Sequence, residues 1–173
     1  MLGDSFRTRA QLNNPEENYE KAINAYKKAL EIVSVSSEPL TFAITQSNLG
    51  STYRDLAEIK FSDKIEHLRL AKVAFQEALK VCTVESDPVR YAMVVNNIGL
   101  TYFTLADIQE KENNLNTAIE YYRKALQIRS MDRYPFEHAS TINNIASALI
   151  KYDSGTVQDK RKRLHENGYH ETC

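Results

Sequence analysis

The side chains with the most obvious reactive chemistry lie near the C-terminus, in His165-Glu166-Asn167-Gly168-Tyr169-His170 followed by Cys173. Imidazole, carboxylate and thiolate are the ligands zinc prefers. The spacing works against them. At about 100° per residue, histidines four apart on a helix stand about 40° from each other, whereas five apart they diverge by about 140°. Gly168 also weakens any helix there. A polar tail is the simpler reading, with a zinc site of His165, His170 and Cys173 as the sharper alternative. No G-x-x-x-x-G-K-[ST] phosphate loop and no G-x-S-x-G nucleophile elbow occurs in the chain. His67 and His138 stand near helix starts without a Ser, Cys or Asp constellation and read as surface or capping residues. Glu16-Glu17, and Glu110 with Glu112, fall in polar connectors and read as solvated charge. No catalytic residue, metal ligand or cofactor is therefore expected.

What remains is amide chemistry at fixed intervals. Asn48-Leu49-Gly50-Ser51-Thr52-Tyr53 recurs as Asn97-Ile98-Gly99-Leu100-Thr101-Tyr102, and in degraded form as Asn144-Ile145-Ala146-Ser147-Ala148-Leu149, at offsets of 49 and 47 residues. A second block keeps step: Ala22-x3-Tyr26-x2-Ala29-Leu30, Ala71-x3-Phe75-x2-Ala78-Leu79 and Ala118-x3-Tyr122-x2-Ala125-Leu126. Ten residues after the second alanine of each comes a proline: Pro39, Pro88, Pro135. Three marks in one register define a repeat.

The elements that must position the asparagines follow from these marks. Ala, aromatic, Ala and Leu at i, i+4, i+7 and i+8 share one stripe of an α-helix, so the second block is a helix (B) that buries that face. The alternation of small and large lets a neighbour approach at the alanines while the ring fills the gap. A glycine inside a helix costs about 1 kcal/mol relative to alanine. Gly50 and Gly99 at equivalent points of the first helix (A), with Ala146 in the same register, therefore predict a crossing too tight for a larger side chain. Each proline suits the first turn of helix A, where its missing N–H costs nothing, and Asp87 suits the N-cap before Pro88. The spacing predicts A at about 2–12, B at 17–34, A at 39–58, B at 66–83, A at 88–109, B at 114–130 and A at 135–152.

Bulk composition agrees with helices and excludes several classes. Five Gly and four Pro in 173 residues leave little room for a turn-rich β-fold. Twenty-two basic against 23 acidic side chains argue against a nucleic-acid binder. No apolar run approaches a membrane span. Cys82 sits among Leu79, Val81 and Val84 and reads as a small buried hydrophobe. Two cysteines do not make a disulfide framework, and the first residues lack the pattern of a signal peptide, so a reducing, cytoplasmic setting is expected.

Leu49-Gly50-x2-Tyr53, then Ala71-x3-Phe75-x2-Ala78, then Pro88 resembles the tetratricopeptide repeat signature. The unit is longer than the usual length of about 34 residues, and the usual early Trp is absent. The long unit with its Asn-Asn-Ile-Gly wording is similar to repeats of bacterial and archaeal arrays and, loosely, of kinesin light chains. The resemblance implies an all-α, right-handed superhelical solenoid of antiparallel helix pairs, with helix A on the concave side. It implies protein–protein interaction and no enzyme. Its groove positions map onto Asn48, Asn97 and Asn144, and onto Ile44, Ser47, Ser51 and Arg54; Met93, Asn96, Leu100 and Phe103; and Ser140, Asn143, Ser147 and Ile150. Among them Ser47, Asn96, Asn143, Arg54 and Phe103 join the three asparagines as candidate partner contacts. A carboxamide offers a donor and an acceptor, so a row of them can grip an extended peptide's backbone without reading its side chains. The alternative is that the asparagines bond neighbouring helices and stiffen the stack. A basic clamp for a terminal carboxylate is not expected, since only Arg54 is basic there.

The reading divides the chain into a repeat domain at 1–152 and a polar tail or atypical cap at 153–173. The domain holds a truncated first repeat (1–38), full repeats at 39–87 and 88–134, and a final helix at 135–152. That final helix A has no following B, so an open end of the array is a candidate surface for a homodimer, set against a fragment of a longer array or a tail that caps it. Lys160-Arg161-Lys162-Arg163 reads as a solvated basic turn. The expected partners are a protein or extended peptide, not nucleic acid or membrane.

Overall fold

A computed structural model describes residues 1–166, with side chains described as far as Ser154. Its α-helices are α1 (Leu2–Ala10), α2 (Pro15–Leu30), α3 (Pro39–Ile59), α4 (Lys64–Leu79), α5 (Pro88–Leu105), α6 (Lys111–Leu126) and α7 (Pro135–Glu166). They match the seven expected helices in order, with ends displaced by a few residues. The exception is α7, which continues to Glu166 where the spacing predicts an end near 152. His170 and Cys173 of the zinc alternative lie outside the described residues, as does the His165 side chain.

Successive helices pack on one another throughout, and α3, α5 and α7 also touch each other, so the A helices stand side by side with B helices between them in sequence. The glycines explain how closely A and B pair. A Cβ added to Gly3 would meet a ring carbon of Tyr26 at 2.4 Å, one on Gly50 would meet Phe75 at 2.9 Å, and one on Gly99 would meet Tyr122 at 2.6 Å. A ring of each B helix packs directly against the glycine of its A helix, as the small-large alternation predicts. Tyr26, Phe75 and Tyr122 are all fully buried. One core cluster joins α1 to α5 through the rings of Tyr26 and Phe75 and their neighbouring alanines.

The change of offset between repeats has a local cause. Gly3 to Ala22 and Gly99 to Ala118 each span 19 residues, while Gly50 to Ala71 spans 21. The extra length lies in the helix before the turn: α3 runs on to Ile59, nine residues past Gly50, against seven from Gly3 to Ala10 and six from Gly99 to Leu105, and the chain then enters α4 through a 3₁₀ turn at Phe61–Asp63. In the other two connections the residues that open α2 and α6 lie in the left-handed region, Asn14 at φ 41° and Glu110 at φ 45°. Each of these two turns is tied by a buried asparagine, Asn18 Nδ2 donating to the Asn13 carbonyl (2.9 Å) and Asn114 Nδ2 to that of Gln109 (2.7 Å). His67 holds the equivalent place in α4, and its Nδ1 is buried without a partner among the described residues.

The first two B-to-A turns are closed by hydroxyls. Ser34 and Ser37 exchange backbone-to-hydroxyl bonds of 2.9 and 3.1 Å, and Thr83 and Ser86 repeat them at the same lengths. Asp87 caps α5 as expected, its Oδ1 accepting from the Arg90 N–H at 3.0 Å. Cys82 is buried, and burial pushes its thiol above the ordinary range. Among the described residues no helix is long and apolar enough to cross a membrane.

Candidate functional site

The three repeated asparagines share one environment. Asn48, Asn97 and Asn144 are half-buried, and each is hydrogen-bonded to the preceding A helix. Asn48 Nδ2 donates to Asp4 Oδ1 at 2.9 Å. Asn97 Oδ1 accepts from Arg54 NH1 at 3.1 Å. Asn144 Nδ2 reaches Asn96 Oδ1 at 3.4 Å. One half of each amide is thus spent on holding neighbouring A helices together, and these bonds leave the other half of each group unused.

The remaining candidates separate by exposure. Ser47 is 4% and Asn96 8% exposed, so both are buried in the packing between helices, not set on an open surface. Expecting them to line a groove overlooks the next A helix: Asn96 Oδ1 also takes the Thr141 hydroxyl of α7 at 3.4 Å. Asn143, in the same register on α7, is exposed. Of the wider set, Ser51 is buried, Ile44 and Leu100 are half-buried, and Met93, Ser140, Ser147 and Ile150 are exposed. Phe103 is half-buried under the Lys151 ammonium, which lies 4.1 Å from its ring centre. Arg54 is held between Asn97 and Asp55, its NH2 bonding Asp55 Oδ1 at 3.1 Å.

A set of ionic ties escapes the motif-based reading. Arg7 of α1 donates through Nε (3.2 Å) and NH2 (2.8 Å) to Asp55 Oδ2 of α3. Thr104 of α5 donates to Glu58 of α3 at 3.0 Å. Lys151 of α7 pairs with Asp107, in the turn after α5, at 2.6 Å and donates to the Phe103 carbonyl of α5 at 3.2 Å. Every junction between A helices therefore carries a polar tie. Arg7 and Arg54 are 47 residues apart, in register with the Leu-Gly marks, and that spacing was the signal available in the sequence.

Asp4 sits at the head of this line. Its Oδ1 also takes the Tyr26 hydroxyl at 2.7 Å, and its Oδ2 meets the N-terminal ammonium at 3.0 Å. Burial pulls its carboxyl upward, but the Tyr26 hydroxyl, the ammonium and Arg7 together hold it below the ordinary value. For Tyr122, the counterpart of Tyr26, the register that Asp4 fills holds Leu100, and the buried Tyr122 hydroxyl has no partner among the described residues.

At the opposite edge, Arg129 stands where the other repeats place Val33 and Cys82. Burial pulls its guanidinium below the ordinary range, and its NH1 donates to Thr141 Oγ1 at 2.9 Å. Beside it a pocket of about 200 Å³ is walled by Val89, Ala92, Met93, Ile128 and Tyr134, with Glu137 at its rim.

The surface therefore combines half-used carboxamides with exposed aliphatic side chains on parallel A helices. That is the chemistry of contact with a polypeptide. Residues 8–32 and 100–130 match the tetratricopeptide repeat family. The match is to the repeat as such and bears on neither narrower resemblance, to prokaryotic arrays or to kinesin light chains. The search of curated proteins gives no match.

Proposed function

We propose that this chain, an array of tetratricopeptide repeats, binds an extended peptide segment along its A helices, with Asn48, Asn97 and Asn144 gripping the ligand's backbone. The family makes a protein-interaction module the expected role. What supports the finer reading is that the three amides stand in one row, half-buried, each with one polar atom free of the bonds described above. A carboxamide fixed by one bond presents its other end in a set direction, which lowers the entropy lost when a ligand binds. Phe103, Asn143 and Ile150 extend the same surface with apolar and polar contacts. Arg54 acts through Asn97, orienting its carboxamide.

The test is a photo-crosslinking amino acid placed at Phe103 or Asn143, with Arg123 on the exposed face of α6 as control. Polypeptide adducts at the first two positions and not the third are expected. Adducts confined to Arg123 would refute the reading. A second reading is a structural unit that pairs with its own copies through an open end. The half-exposed apolar residues of α7 favour it, and a concentration-dependent dimer in sedimentation would establish it.

A further inference from the structure

The third turn from a B helix into an A helix breaks the pattern of the first two. Where they carry Val33 and Cys82 it carries Arg129, and where they carry Glu38 and Asp87 it carries Tyr134 before its proline. Where α5 has Arg90, α7 has Glu137. In the second turn the charges are settled locally, Arg90 Nε lying 3.0 Å from Asp87 Oδ2. In the third they are not. Arg129 and Glu137 line one pocket of about 200 Å³, yet form no ion pair among the described residues. The rest of its wall is apolar, chiefly Val89 and Met93 of α5 with Ile128 and Tyr134 of the turn.

The guanidinium is fixed before any ligand arrives. Its NH1 donates to Thr141 Oγ1 at 2.9 Å, and that fully buried hydroxyl donates to the Glu137 carbonyl at 2.7 Å. His138 Nδ1 donates to the Arg129 carbonyl at 2.7 Å. A guanidinium has five N–H donors, and these bonds use one of them. Burial pulls Arg129 below its ordinary range while the Glu137 carboxylate pulls it back, so the two opposite charges act on each other without touching.

We propose that this pocket binds a free α-amino acid with an aliphatic side chain, such as leucine. The carboxylate sits on Arg129, the ammonium points to Glu137, and the side chain fills the apolar wall. A neutral ligand would leave both charges unmatched in a partly desolvated site, which is costly. An anion without a positive end would meet Glu137 at the rim. The volume lies below the roughly 300–1,000 Å³ of sites for drug-sized ligands, which suits a single residue and not a peptide. Every wall belongs to α5, α7 or the turn before α7, so the site is complete within the described residues. It goes beyond the asparagine row and does not depend on it.

Titration of L-leucine into the full chain, followed by calorimetry, tests this. Binding in the millimolar range or tighter is expected. Leucine amide lacks the carboxylate and N-acetyl-leucine lacks the ammonium, and each should bind at least about tenfold more weakly, the effect of losing one charged hydrogen bond. Glycine, with no side chain for the wall, should lose about as much. Arg129→Met should abolish binding. Because that change also removes the bond to Thr141, Glu137→Gln is the companion variant. Glu137 is exposed, so this chain keeps its fold, and its preference for leucine over N-acetyl-leucine should disappear. Absence of leucine binding at millimolar concentration would overturn the proposal. So would N-acetyl-leucine binding the unaltered chain as tightly as leucine, since the site would then read a carboxylate alone. Leucine binding that Glu137→Gln leaves unchanged would overturn it too.

Discussion

A Cβ placed on Gly99 would stand 2.6 Å from Cε1 of Tyr122, so the ring of α6 occupies the space that any other side chain at that position would need. In an exposed helix Gly→Ala is stabilising by about 1 kcal/mol. Here over-packing, worth about 1–3 kcal/mol, opposes and exceeds that gain. Gly99→Ala is expected to lower stability by about 1–2 kcal/mol in urea denaturation. Gly50→Ala, whose Cβ would meet Phe75 at 2.9 Å, should cost less. A stabilised Gly99→Ala protein would contradict the packing described.

The tyrosines that cover Gly3 and Gly99 should respond oppositely to loss of their hydroxyls. Tyr26 donates to Asp4, whereas the Tyr122 hydroxyl is buried without a partner among the described residues. Tyr26→Phe is expected to destabilise by about 1 kcal/mol, and Tyr122→Phe to be neutral or stabilising by a similar amount. Phe75 already serves in the middle repeat without a hydroxyl. Parallel melting of the two variants checks the contrast, and equal losses would refute it.

The repeat marks made the fold legible, because Gly50, Gly99, the B-helix rings and the prolines each have one physical role that spacing alone reveals. The candidate surface was less legible. Ser47 and Asn96 look like Asn143 in register, yet the first two are buried, Asn96 against Thr141 and Asn144 of the next A helix, and the third is open. Motif matching assigns a face to a residue but not the neighbour that covers it. The tie from Arg7 to Asp55 joins residues 48 apart that belong to no shared motif. Its geometry depends on how successive A helices are offset, which the sequence does not state. The helical stretch of α7 beyond 152 lacks the repeat marks by which the other helices were found.

Acid should weaken the first junction. The folded Asp4 carboxyl lies below its ordinary value of 3.8, so its contribution is present above that pH and is lost as pH falls through the lower folded value. Asp4→Asn is expected to be less stable at neutral pH and to lose less stability below about pH 4 than the unaltered chain. Circular-dichroism melting between pH 2 and 7, a range of about five units, distinguishes this from parallel curves, which would remove Asp4 from the account.

Backbone strain at a left-handed residue predicts a gain from glycine. Glu110 opens α6 at φ 45°, a conformation costing a residue with a Cβ about 1 kcal/mol. Glu110→Gly is expected to stabilise by up to about 1 kcal/mol. Asp63, its counterpart before α4 at φ −116°, should gain nothing from the same change. Equal thermal shifts in the two variants would show that the left-handed backbone at Glu110 carries no strain.

In the proposed function the asparagine row meets a ligand with the half of each amide that the stack does not use. The most direct measurement of this is the affinity of a crosslinked partner's segment, made as a peptide, for the unaltered chain and for Asn97→Ala with Asn144→Ala. Two lost backbone-type hydrogen bonds of about 1 kcal/mol each should weaken binding by at least about tenfold. The melting temperature should fall by no more than a few degrees, roughly the effect of 1 kcal/mol in a chain of this size. Unchanged affinity with a sharply lowered melting temperature would contradict the claim and leave the asparagines as ties between helices alone.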